Sequence, residues 1–138
     1  MSEVIDQTYI PGEDEPYMNP RQVEYFRRKL LGWREEILKG SGETLKQLQQ
    51  EENRLPDASD WATADVQRNF ELRTRDRERK LLNKIAAALG RIEDGSYGYC
   101  EETMEPIGVR RLEARPIATL SIEAQEKHEK RERAYRDS

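Results

Sequence analysis

The chain has 138 residues, of which 35% are hydrophobic and 38% charged, and its net charge is −4. So small an apolar share excludes a thick globule and favours a long, solvent-bathed helical arrangement with one small core. The acidic balance argues against direct DNA binding, because nucleic-acid binders usually carry a basic domain. No apolar run approaches the length of a membrane span, and residues 1–20 lack a basic segment followed by a hydrophobic one, so a cytoplasmic protein is expected. The single cysteine, Cys100, cannot form an internal disulfide, in agreement with a reducing compartment.

Residues 1–18 place Pro11, Gly12 and Pro16 among acids and read as an irregular lead-in. Asn19 followed by Pro20 marks a helix start, with Asn as the cap and Pro at the first helical position. Phe26, Leu30, Trp33 and Ile37 then recur at helical spacing and make one apolar stripe. Gly40-Ser41-Gly42 is expected to weaken or bend that helix before Leu45 and Leu48 resume the pattern. Pro56 ends the first arm, and the turn is read at LPDASDWATAD, with its tip at 56–63. A second periodic run carries Val66, Phe70, Leu81, Ile85, Ala88 and Ile92 on one side and ends at Gly95, a C-terminal cap. Two helices of roughly 33 and 30 residues would form an antiparallel hairpin about 45–50 Å long.

From Tyr97 to Ile117 the glycines and prolines argue against a helix, and Tyr97, Tyr99, Ile107, Val109 and Leu112 are expected to form a small core. The tail from Leu120 to Arg136 reads as a final, mostly exposed helix packing through Ile122, with Ala118 or Leu120. The expected fold is therefore mainly α. An irregular segment (1–18) leads into a long coiled-coil hairpin (19–95), followed by a small module and a C-terminal helix (96–138).

The stretch YGYCEETMEPIGVRRLEARPIATLSIEA has the layout of a small zinc ribbon, C-x2-C, a 17-residue spacer, C-x2-C. Its four ligand positions hold Cys100, Thr103, Ser121 and Ala124. One thiol, two hydroxyls and a methyl do not make a tetrahedral zinc site, so a metal-free module is expected. At the tip, Asp57 and Asp60 with Ala62 spell D-x-x-D-x-A, beside Trp61. Both acids are also ordinary turn and cap residues. The run RTRDRERK alternates signs as many solvated helix faces do, with Arg73 and Arg77 four apart on one face. His128 is the only histidine and reads as a surface residue; one His and one Cys make no catalytic constellation, so no enzyme is expected.

Four blocks, EPYMNPRQVEYFRRKLLGWREEI, DASDWA, ELRTRDRERKLLNKI and GYCEETMEPIGVRRLEARPIATLSIEAQE, resemble the DksA/TraR family in the family's order, from about residue 15 onward. The missing ligands mark the chain as a cysteine-poor variant. The resemblance implies a monomeric transcription regulator that enters the secondary channel of RNA polymerase without touching DNA. It implies Asp57, Asp60, Trp61 and Ala62 as the effector tip, and Arg73 and Arg77 as polymerase contacts. Leu81, Lys84 and Arg115 match positions of a guanosine tetraphosphate site at the polymerase interface. Gln125 stands where a basic residue is expected, which puts the strength of that nucleotide response in doubt. Two other readings compete, a Gre-type transcript-cleavage factor and a generic coiled-coil adaptor.

Overall fold

The computed structural model describes the backbone of residue 5, residues 7–52 and residues 58–137, and the side chains of these outside 41–63 and 137. Four helices follow one another: α1 (Pro20–Glu52), α2 (Ala58–Asp94), α3 (Val109–Ala114) and α4 (Ile122–Asp137). Among the described residues the only β pairing is an isolated antiparallel bridge between Tyr99 and Pro106. The backbone divides into two compact units, Met1–Leu30 with Ala87–Ser138, and Leu31–Ala86.

Helix α1 begins as its local chemistry dictates. The Asn19 side-chain oxygen accepts the N–H groups of Arg21 and Gln22 at 2.9 and 3.2 Å. Gln22 closes the cap from the other side, accepting the Met18 N–H at 2.8 Å and donating to the Gly12 carbonyl at 3.1 Å, which satisfies a fully buried amide. Helix α1 runs for 33 residues without a break at Gly40 and Gly42. Two glycines cost about 2 kcal/mol of helix propensity, which a long helix absorbs.

Helix α2 ends in a Schellman arrangement. The N–H groups of Ser96 and Tyr97 reach the Arg91 carbonyl at 3.0 and 3.1 Å, and Gly95 takes the required positive φ of 84°.

In the first unit Phe26, Leu30, Ala88, Tyr97, Ile107 and Leu112 are buried, and the Phe26 and Tyr97 rings lie 5.8 Å apart. The Tyr97 hydroxyl donates to the Pro116 carbonyl at 2.8 Å, so its polar end is satisfied inside the core. Three expectations for this unit are corrected. Tyr99 is 38% exposed. A six-residue helix, α3, forms within the stretch read as helix-free. Ile122 is 53% exposed while Ser121 and Ala124 are buried, so α4 packs through its first turn, where the Ser121 hydroxyl accepts the Ala124 N–H at 3.2 Å.

In the second unit α1 ends at Glu52 and α2 begins at Ala58. Here too the sequence pattern misleads. Val66 and Phe70, expected on the buried stripe, are 72% and 69% exposed. Between Glu71 and Lys80 the half-buried positions are Glu71, Thr74, Arg75 and Glu78.

Candidate functional site

Asp57 lies outside the described residues. Asp60, Trp61 and Ala62 are the third to fifth residues of α2. Asp60 and Trp61 therefore sit in the first helical turn, with Ala62 just beyond it, and Asp60 lies inside the helix instead of at its cap position. A carboxylate in the first turn is favoured by the aligned peptide dipoles.

Farther along α2, Arg73, Arg77 and Lys84 are exposed and Leu81 is half-buried. At 100° per residue the three cations share one face of the helix. Among the described residues neither Arg73 nor Arg77 has an ion-pair partner, whereas Asp76 is held by Arg79 at 3.1 Å. The acidic members of the alternating run are thus occupied elsewhere and leave a cationic line facing solvent.

Arg115, the third member of the expected nucleotide set, belongs to the first unit, while Leu81 and Lys84 belong to the second. It is exposed immediately after α3, and its N–H bonds to the Arg111 carbonyl at 2.8 Å. The end of α3 is pinned by a residue that sequence reasoning missed. The Lys29 ammonium donates to both the carbonyl and the carboxylate of Glu113 at 2.8 Å, and the Tyr25 hydroxyl donates to the same carboxylate at 2.7 Å. Burial would lift the Glu113 carboxyl, but Lys29 and Tyr25 outweigh it and hold it below the usual carboxylate range. Burial followed by the Glu113 carboxylate pushes the Tyr25 phenol up to about 12. These contacts link residues 84 and 88 positions apart, and no local signal announces them. Gln125 spends its amide on Glu129 at 3.4 Å.

The degenerate ligand positions do come together. Cys100 is fully buried, and its N–H and carbonyl close the 100–105 turn with Glu105 and Met104 at 2.7 and 2.8 Å. Burial alone would raise the Cys100 thiol, but the Thr103 hydroxyl and the backbone N–H groups of Ser121, Thr103 and Glu102 surround the sulfur and bring its pKa down to about 6. Glu101 N–H reaches the Thr119 carbonyl at 2.9 Å, tying this turn to the segment that starts α4. His128 on α4 pairs with Glu102, a second tie between the same elements. The donor set does not fit zinc: one thiol is present, the Ser121 hydroxyl is engaged as a helix cap, and Ala124 offers no donor. Among the described residues no group of three or more His, Cys, Asp or Glu side chains could hold a metal.

A third feature braces this module. The Tyr17 hydroxyl donates to the Gly98 carbonyl at 2.5 Å and accepts the Gly108 N–H at 2.9 Å, while its ring meets Tyr99 edge-on at 5.6 Å. Gly98, at φ 93°, has no room for a Cβ, which would lie 2.9 Å from the Met18 side chain.

Comparison with known proteins covers both parts of the chain. Residues 22–92 match the family described as DnaK suppressor protein DksA, N-terminal domain, and residues 95–130 match the prokaryotic dksA/traR C4-type zinc finger. The RNA polymerase-binding transcription factor DksA of Caulobacter vibrioides is 63% identical over 129 residues, covering 94% of this chain and 91% of that protein. The protein of the same name from Escherichia coli K12 is 44% identical over 123 residues, covering 89% of this chain and 80% of its own length. Among solved structures, transcription factor DksA2 from Pseudomonas aeruginosa superimposes with a TM-score of 0.80 at 47% identity, covering 85% of this chain and 90% of that one. The mainly helical fold, a helical hairpin with a small C-terminal module, is accordingly that of these relatives.

Proposed function

The chain belongs to the DksA family, and on that footing we propose that it regulates transcription by binding RNA polymerase. The observation that carries this reading is the 63% identity to an RNA polymerase-binding factor across 94% of the chain. In the proposed mode the hairpin enters the secondary channel of the enzyme. Arg73 and Arg77, unpaired on α2 among the described residues, anchor it, since a planar guanidinium suits carboxylates on a partner. Asp57 and Asp60, with Trp61 and Ala62, act as the effector tip near the catalytic centre and alter the lifetime of promoter complexes. Lys84 and Arg115, with Leu81 beside Lys84, serve guanosine tetraphosphate at the polymerase interface, where ammonium and guanidinium groups suit phosphates.

The protein works in the cytoplasm as a monomer, by binding and not by catalysis, with no DNA contact and no resident zinc. Its net charge of −4 supports the absence of a DNA-binding role. Asp60→Asn tests the division between rod and tip. Asn is nearly isosteric and keeps the helix, so polymerase affinity should stay within about twofold, a change of roughly 0.4 kcal/mol, while the effect on a sensitive promoter disappears in single-round transcription. A variant that regulates like the wild type would reduce Asp60 to a helix-start residue.

A further inference from the structure

Helix α3 has six residues, well short of the roughly 12 at which an isolated helix begins to hold itself in water. Its last carbonyls also need partners from outside the helix. Lys29 on α1 supplies one: its ammonium donates to the Glu113 carbonyl and to one carboxylate oxygen, both at 2.8 Å, and the Tyr25 hydroxyl donates to that same oxygen at 2.7 Å. The second carboxylate oxygen is buried without a hydrogen-bond partner, and Lys29 is the one ion-pair partner of Glu113 among the described residues. Two residues on, the backbone of Arg115 is held at both ends. Its N–H reaches the Arg111 carbonyl at 2.8 Å and its carbonyl accepts the Ala118 N–H at 3.0 Å. Pro116, which is buried, bars the α region to Arg115, whose φ of −143° and ψ of 85° lie outside it. The Arg115 guanidinium, by contrast, is exposed and has no ion-pair partner among the described residues. A fixed base under a free cation presents charge to a ligand outside the chain.

We propose that Lys29 is a positioning residue: by clamping Glu113 it sets where α3 ends, and so the point from which Arg115 reaches the phosphates of the nucleotide at the polymerase interface. The inference rests on the nucleotide reading above and adds to it a residue that touches no ligand. The Lys29 ammonium is spent on Glu113, so it acts only through Arg115. Ala114 alone separates Glu113 from Arg115, and a displaced helix end is passed directly to the guanidinium. Small misplacements are costly where a charged group must meet a bound ligand. Buried Val109 and Leu112, with the bond from Arg111 Nε to the Leu120 carbonyl at 2.9 Å, keep α3 seated without Lys29. Lys29 therefore governs where the helix stops, while packing governs whether it forms.

The test titrates guanosine tetraphosphate into transcription by purified RNA polymerase from a sensitive promoter, with saturating wild type, Lys29→Met, Lys29→Arg, Arg115→Ala or the Lys29→Met/Arg115→Ala double variant. Polymerase affinity without nucleotide is measured beside it. Lys29→Met keeps the apolar stem and deletes the ammonium. It should raise the half-maximal nucleotide concentration about tenfold, equivalent to 1.4 kcal/mol, while nucleotide-free affinity stays within about twofold. Lys29→Arg keeps a cation able to bridge the Glu113 carbonyl and carboxylate and should respond near the wild type. In the Arg115→Ala background Lys29→Met should add nothing, since residues that act through one another are not additive. A wild type that ignores the nucleotide, or an Arg115→Ala variant that responds like the wild type, removes the nucleotide reading and this inference together. If Arg115→Ala weakens the response but Lys29→Met does not, the inference alone falls. It falls likewise if the double variant is weaker than Arg115→Ala, or if Lys29→Met unfolds or loses nucleotide-free affinity in the same proportion.

Discussion

Removing one oxygen atom from Tyr17 should test how the C-terminal module is held. Tyr17→Phe keeps the ring against Tyr99 and deletes only the hydroxyl that bridges Gly98 and Gly108. The Gly98 carbonyl keeps a second partner, the Ile107 N–H at 2.8 Å, so its loss is one net hydrogen bond, worth about 1 kcal/mol. The Gly108 N–H has no other partner among the described residues and sits half-buried. Stranding it costs about 1 kcal/mol more, the low end for an unsatisfied donor that water partly reaches. The expected loss is about 2 kcal/mol, or roughly 6–8 °C in Tm for a chain of this size. Urea and thermal unfolding of the two proteins, followed by circular dichroism, measure it. A loss below about 0.5 kcal/mol, the range of an ordinary surface substitution, would show that the bridge is incidental and that apolar packing alone holds the module.

Other outcomes follow from the same region. Met104 sits at φ 64° and is 74% exposed, so Met104→Gly should relieve left-handed strain and stabilise by about 0.5–1 kcal/mol after the added freedom of the unfolded chain is counted; destabilisation in urea would contradict this. The Cys100 thiol, pushed up by burial but held at about 6 by Thr103 and nearby N–H groups, ionises more readily folded than unfolded. Its contribution to stability is therefore complete above the ordinary thiol pKa of about 9 and is lost as pH falls through about 6. Stability should rise across that window, by at most about 1.4 kcal/mol per pH unit, and Cys100→Ser should flatten the profile; parallel profiles would refute the assignment. A chelator should leave Tm unchanged and elemental analysis should find far less than one zinc per chain, whereas stoichiometric zinc would overturn the donor-set argument.

What the sequence disclosed was whatever short-range chemistry determines. Asn19-Pro20 and Gly95 could be read because a cap is written within four residues of itself, and both are where the pattern put them. Phe26, Leu30, Ile107 and Leu112 declared their burial by residue type and spacing. Val66 and Phe70 did not, because helical periodicity states which residues share a face and is silent on whether anything covers that face. The turn at 56–63 was drawn too long, since α2 already begins at Ala58 and Asp60 belongs to it. The Tyr17 bridge and the Lys29 contact to Glu113 join residues more than 80 positions apart, so they exist only once the fold has formed. At the four degenerate ligand positions the Cys100 sulfur meets Thr103 and the Ser121 N–H, and the Ser121 hydroxyl accepts the Ala124 N–H.

Ser121 and Ala124 give the chain's evolutionary path a direction. Replacing Ser121 by cysteine would exchange the hydroxyl that caps α4 for a poorer acceptor, and a sulfur at Ala124, which is 2% exposed, would crowd a packed site. Replacing Thr103 would give up the hydroxyl that meets the Cys100 sulfur and accepts the Glu105 N–H. Metal affinity rewards none of these steps until the ligand set is complete. Any stepwise route from this arrangement to a zinc site would therefore cross a valley of less stable intermediates, and substitutions that strengthen the bridging network would deepen that valley.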